Sequence, residues 1–282
     1  MIIVRLMGGT GNQMFQYAAG RALAIRHGVD LRLDLAALED RTPREHHVFR
    51  HYTLGMFNIE GRVATGHDWE SARFTTVNEP HFHYDPGFAH YSDNSFLIGY
   101  WQSARYFESV ADSIRREFTF HRSMEECNPL IEELTTCESV CLNIRRGDFV
   151  DNPKSRSFHG FYGMDYVEQA MEIIYSKIAH PKVFVFSDDV EWCRQNIRLK
   201  CPTCFVGHEW AGVDFDQYLC LMSQCRHFVI PNSSFAWWAV WLNNRPEGRT
   251  VVAPKRWFQD PAIRLDDLIP SDWIRLDVAA AC

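Results

Sequence analysis

Four short segments carry residue types able to act on a charged, oxygen-rich substrate: Arg145-Arg146-Gly147-Asp148, Asn232-Ser233-Ser234-Phe235, Ser187-Asp188-Asp189 and Gly8-Gly9-Thr10-Gly11-Asn12-Gln13. Adjacent arginines at the end of an apolar strand project to opposite faces, so one can address a ligand while the other pairs with an acid such as Asp148. A guanidinium fork matches the oxygens of a pyrophosphate and neutralises charge on a leaving group. The competing reading is an exposed surface pair. Ser233 and Ser234 open a helix, where serines either cap the first turn or help its N–H groups hold an anion. Asp188 and Asp189 suit a metal, a ribose, a base edge or a helix cap. Capping is the simplest of these, and the adjacent spacing with no further carboxylate cluster argues against a metal site.

The glycine segment follows an apolar strand and precedes a helix, as a dinucleotide-binding loop does. Gly9 and Gly11 fit that fingerprint, and Asp34 lies where a ribose-binding acid belongs, but Met14 occupies the third glycine position. No Gly-Lys-Ser/Thr follows, so it is not a Walker loop. Two readings stay open. One is a tight turn with Asn12 capping the helix; the other is a set of backbone N–H groups and two side-chain amides facing a phosphate or sugar oxygen.

The elements that must position these segments are short strands alternating with helices. Strands are expected at 2–6 and 29–35 around a helix at 13–26, then an irregular stretch at 40–100 and a helix at 103–118. From 138 the rhythm becomes regular, with strands at 139–145, 182–187, 203–207, 227–231 and 250–254. Helices at 162–179, 189–199, 214–225 and 233–243 separate them. This pattern predicts α/β architecture: two Rossmann-like domains, 1–130 and 131–282, facing each other across a cleft. All four segments then stand at carboxyl ends of strands, where such sheets bind ligands. Trp237, Trp238 and Trp241 share one face of their helix and are expected to pack in the core.

A net charge of -7 leaves no basic footprint for nucleic acid. The nine cysteines are scattered and several sit in apolar runs, which suits reduced thiols; Cys201 and Cys204 lack a second pair at zinc spacing. No secretory pattern opens the chain, and no run approaches the ~20 apolar residues of a membrane span. A cytoplasmic protein is expected, with at most peripheral membrane contact.

Together, GGTGNQMFQYAAGRALA, NIRRGDF, VFVFSDDVEW and LMSQCRHFVIPNSSFAWWAVWLN resemble the α1,2-fucosyltransferases of bacteria and animals, glycosyltransferase family 11, in order and spacing over nearly the whole chain. The resemblance implies a GT-B fold, GDP-fucose as donor, inversion at the anomeric carbon, and no metal or other cofactor. The implied acceptor is a galactose-terminated oligosaccharide or lipid-linked glycan, as in surface polysaccharide or O-antigen synthesis, with the N-terminal domain on the acceptor side. It also implies that Arg145 grips the β-phosphate while Arg146 and Asp148 shape the loop, and that Ser233, Ser234 and the Phe235 N–H complete the phosphate site. Gly11 and Asn12 would face the pyrophosphate–fucose junction, Asn12 with a catalytic part, and Asn143, Asp188 and Asp216 would contact guanosine. The family's arginine motif begins with histidine, where this chain has Asn143, a residue that cannot carry a proton. His159 is the candidate base, and acceptor contacts are expected near His81, His83, Tyr84 and Trp101. Two other classes stay open: a nicotinamide oxidoreductase built on Gly9, Gly11 and Asp34, and a non-catalytic glycan-binding protein.

Overall fold

A computed structural model describes residues 1–46, 48–121, 128–147, 152–264 and 266–278. Asp148 lies outside them. The chain forms two compact units, Met1–His121 with Ile263–Leu268, and Arg122–Ala262 with Ile269–Cys282. The division therefore falls at 121/122 instead of 130/131, and a short segment near the C-terminus belongs to the first unit.

The first unit is a parallel sheet of β1 (Ile2–Arg5), β2 (Leu31–Asp34), β3 (Arg62–Val63), β4 (Thr75–Asn78) and β5 (Ser95–Ile98), in the order β3-β2-β1-β5-β4. The apolar run of β1 is buried on both faces, as a central parallel strand must be. Helix Thr10–His27 packs on it, burying Met14, Phe15, Tyr17, Ala18 and Leu23. A Cβ on Gly20 would lie 3.0 Å from Leu31 Cδ1 and 3.1 Å from Val4 Cβ. Gly20 thus provides the close helix–sheet approach that a dinucleotide loop obtains from its third glycine.

Strands β3 to β5 lie in the stretch read as irregular. β3 is two exposed residues and β4 is mostly exposed, so neither shows a burial period. The helix expected at 103–118 is broken into 3-10 turns at Ala104–Tyr106 and Glu108–Val110, followed by an α-helix only at Ala111–Glu117. Phe107, Ile114 and Phe118 still face the core.

The second unit is a parallel sheet of β6 (Glu138–Ile144), β7 (Pro181–Ser187), β8 (Thr203–Phe205), β9 (His227–Val229), β10 (Val251–Pro254) and β11 (Ile274–Leu276). Its order, β11-β10-β9-β6-β7-β8, is the doubly wound order of a six-stranded Rossmann sheet, and the direction of winding reverses between β6 and β9. Helices Met164–Lys177, Val190–Asn196, Asp216–Gln224 and Ser234–Leu242 occupy the expected places with shorter ends. Helix Pro153–His159 lies where a loop was expected. Trp237 and Trp238 are fully buried and pack edge to face, so they belong to the core. Tyr166 packs in a separate apolar cluster with Val140, Leu142 and Val167 and donates its hydroxyl to Ile230 O at 2.6 Å.

Gly20→Val forces a branched side chain against β1 and β2. Such overpacking costs about 1–3 kcal/mol. Denaturant unfolding should show a loss of that size with unchanged m; unaltered stability would mean the helix does not lie this close.

Candidate functional site

Three adjacent strands of the second unit end at the reversal point and beside it. Residues 145–147 follow β6, Asp188 and Asp189 follow β7, and residues 230–235 follow β9. Ile144 pairs with Ser187, so the arginine and aspartate segments leave the sheet side by side. Asn143 donates its amide to Phe186 O at 3.1 Å and ties the two strand ends together.

The arginines diverge, as neighbours on a strand must. Arg145 Nη1 lies 3.1 Å from Asp188 Oδ2, while the Arg146 backbone N–H donates to Asp188 Oδ1 at 2.9 Å. One carboxylate therefore holds both the first guanidinium and the turn that follows it. Gly147 lets the turn pass, because a Cβ there would stand 2.8 Å from Asp188 Oδ2. The Arg146 guanidinium lies 3.7 Å over the Trp192 ring, with Asp189 Oδ2 at 3.4 Å. Asp189 Oδ1 also caps helix Val190–Asn196 by accepting from the Trp192 N–H. Asp188, expected at guanosine, also braces this loop through its carboxylate. Behind it, burial pushes the Cys193 thiol up to about 11, so it stays protonated at neutral pH.

Ser233 is the N-cap of helix Ser234–Leu242, its Oγ accepting from the Ala236 N–H. Ser234 and Phe235 form the helix's first turn, where the macrodipole favours negative charge. The preceding Asn232 is buried and donates to His159 O at 2.9 Å and Trp257 O at 3.0 Å. It fastens the candidate base to the serine loop. His159 ends its short helix with its ring packed against Phe158 and Phe258. Asn232 lay in the serine segment read from the sequence but was given no role there; an amide next to a cap was its only signal. Asp216 stands apart, at the head of the helix that follows β8, the edge strand beyond β7.

In the first unit, β1 and β5 are neighbours in the sheet, and the glycine segment leaves the carboxyl end of β1. Gly8 turns the chain with φ +76°, and a Cβ there would fall 2.5 Å from Asn12 Nδ2. The helix begins at Thr10 with Gly9 as its N-cap and no side-chain cap, so Asn12 lies inside the first turn and does not cap it; Gly11 precedes it there, buried. Gln13 is also structural: Nε2 donates to Gly8 O and His51 O, and Oε1 accepts from the Thr53 N–H. Gln16 brackets both backbone groups of Met7. Of the two amides expected to face a ligand, Gln13 instead locks the turn, while Asn12 Oδ1 accepts from Gln102 Nε2 at 2.8 Å. Asp34 is buried in an ion pair with Arg5 at 2.7 Å and accepts from the Ala36 N–H. The acid on which the nicotinamide reading leaned is thus structurally employed, and Met14, at the third glycine position, is fully buried.

The residues expected near an acceptor cluster by themselves. The rings of His81 and His83 stack at 3.4 Å. Asp267 holds the Tyr84 N–H and Arg105, whose guanidinium lies 4.1 Å over the Tyr84 ring.

Comparison with known proteins extends this picture. The sequence model of glycosyl transferase family 11 matches residues 1–277. An α-1,2-colitosyltransferase of Escherichia coli is 28% identical over 302 residues, 98% of this chain and 99% of its own. The Escherichia coli O-antigen biosynthesis glycosyltransferase WbnK is 31% identical over 290 residues, covering 90% and 93%. Human galactoside α-(1,2)-fucosyltransferase 1 is 28% identical over 251 residues, covering 83% and 63%. Among solved structures, Arabidopsis thaliana FUT1 in complex with GDP has a TM-score of 0.52 at 11% identity, covering 98% of this chain and 76% of that one. The fucosyltransferase NodZ from Bradyrhizobium scores 0.50 at 15% identity, covering 85% and 91%. These two likenesses are of fold, two Rossmann-like units of the GT-B type. The chain belongs to glycosyltransferase family 11.

Proposed function

We propose that this protein transfers L-fucose from GDP-fucose to the 2-hydroxyl of a galactose-terminated glycan, with inversion at the anomeric carbon. The observation carrying this reading is the crowding of an arginine pair and a helix N-terminus at the reversal point of the second unit's sheet, a place suited to a nucleotide pyrophosphate. Breaking the glycosidic bond of GDP-fucose leaves positive charge on the sugar and builds negative charge on the departing GDP. Arg145, oriented by Asp188, and the first turn after Ser233 meet that charge as it grows, which favours the transition state over the bound substrate. Ser234 and Phe235 complete the phosphate contacts, and Arg146 keeps the loop in place. No metal is assigned a role. The attacking hydroxyl gives up its proton to His159, whose backbone Asn232 fixes. Gly11 and Asn12 serve the sugar end of the reaction, and Asn143 and Asp216 remain the assignments for guanosine.

The relatives support a surface-polysaccharide acceptor, lipid-linked or free, met by a cytoplasmic enzyme with at most peripheral membrane contact. Among the described residues no helix is long and apolar enough to cross a membrane. The colitosyltransferase relative supports a second donor, GDP-colitose, whose sugar is fucose without its 3-hydroxyl. Competition between the two donors for one galactoside acceptor decides this: a higher kcat/KM for GDP-colitose would replace the first reading. Release of GDP dependent on a galactoside disposes of the non-catalytic alternative, and thermal stabilisation by NAD in place of GDP would revive the oxidoreductase.

Arg145→Ala should weaken GDP binding by about 10- to 100-fold in calorimetry, the range of a charge-assisted hydrogen bond; near-normal affinity would remove the arginine from the phosphate site. His159→Ala should lower kcat by about 10²-fold or more and abolish the acid limb of the pH–rate profile. The sign follows from the role, since a base acts only when deprotonated and is lost as pH falls. An unchanged profile would eliminate His159.

A further inference from the structure

The carboxyl edge of the first unit's sheet holds a device that the donor chemistry does not use. Glu79 follows β4, and its two carboxylate oxygens accept from the backbone N–H groups of Tyr100 at 2.6 Å and Trp101 at 2.8 Å. Burial drives the Glu79 carboxyl upward from the usual range despite those two donors. Trp101 is held with φ +55°, a left-handed conformation that a bulky residue adopts only when its surroundings enforce it. Its side chain is fully buried against Phe88 and Tyr106. The outcome of this enforced bend is the position of the next residue. Gln102, in the segment after β5, reaches Asn12 in the segment after β1, so the two loops meet beyond the carboxyl ends of neighbouring strands.

Gln102 is only 8% exposed, and among the described residues its Oε1 has no hydrogen-bond partner. Its Nε2 is engaged with Asn12, so the orphan is an acceptor and calls for a donor. A buried amide oxygen without a partner is costly, and folds keep one where a ligand or water completes it. The diester pyrophosphate of a nucleotide sugar has no proton to offer at neutral pH. A sugar hydroxyl is both donor and acceptor, and so suits an orphan oxygen beside a second amide.

We propose that the junction of the segments following β1 and β5 in the first unit is a sugar subsite in which Gln102 Oε1 accepts a hydrogen bond from one hydroxyl of the acceptor galactoside, with Glu79 as the positioning residue that sets Gln102 through Trp101. The proposal rests on the glycan-acceptor reading above and adds to it the residue that reads the acceptor.

The test is a binding cycle that needs no donor. Methyl β-galactoside and its monodeoxy derivatives are titrated by NMR into the full chain and into Gln102→Met, with melting curves run in parallel. One deoxy derivative should bind the natural protein about 10-fold more weakly. Gln102→Met should lose about the same factor for the parent sugar and nothing more for that derivative. Gln102→Glu, which keeps an acceptor oxygen at the same reach, should retain the discrimination. Losses that add at every deoxy position overturn the proposal, and so does a fall in GDP affinity matching the fall in sugar affinity, which would mark Gln102 as a general structural residue. If the natural protein binds none of the galactosides, the acceptor reading itself fails, an outcome distinct from additive losses.

Discussion

Two guanidinium groups on consecutive residues at one strand end are tenable only where anions meet both of them. Asp188 and Asp189 supply those anions from the neighbouring strand, and much of the second unit's carboxyl edge follows from this pairing. The carboxylate of Asp188 also fixes the peptide of Arg146, so the turn and the charge are set by one group. Asp189 both pairs with Arg146 and starts the next helix, so the loops after β6 and β7 are shaped together. Preorganisation of this kind is what stabilising a developing anion requires, because donors already in place need no rearrangement when the charge appears.

The first unit solves a different problem with neutral groups. Its glycine turn bears no charge partner, and the amides of Gln13 and Gln16 hold it through backbone groups of Gly8, Met7, His51 and Thr53. Neutral amides fix a turn without adding a field, so the electrostatic character of the carboxyl edge differs between the units. The second concentrates paired charges around its arginine turn; the first adds, to the Arg5–Asp34 pair, amides and a half-buried carboxylate whose lone pairs are directed at peptide N–H groups. Phosphate chemistry suits the former and hydroxyl recognition the latter.

The alternation of apolar strands and amphipathic helices was legible wherever strands are buried on both faces, as in β1, β6 and β7. It was not legible at β3 and β4, whose exposed residues join the sheet through backbone bonds alone. The four segments of the site were visible because arginine, aspartate and serine at strand ends are chemically conspicuous. Their partners were not. Asp188 becomes the brace of Arg145 only once β7 is known to lie beside β6, a fact of strand order that no local pattern encodes. Asn232 reads as part of a turn until the carbonyls of His159 and Trp257, far away in the chain, converge on it. The break in 103–118 was hidden for the opposite reason, since Phe107, Ile114 and Phe118 keep a buried face while the backbone between them changes from 3-10 to α.

The departure at position 143 gains a physical meaning from this geometry. An imidazole can donate one N–H to a carbonyl on the neighbouring strand, but a second proton then places a cation beside the guanidinium of Arg145. Asn143 makes the same kind of strand-to-strand contact, to Phe186 O, with a group that never ionises. The junction between β6 and β7 therefore keeps its hydrogen bond without placing a second cation beside Arg145. The asparagine thus joins the two strand ends with a neutral group, beside the carboxylate of Asp188 that braces Arg145.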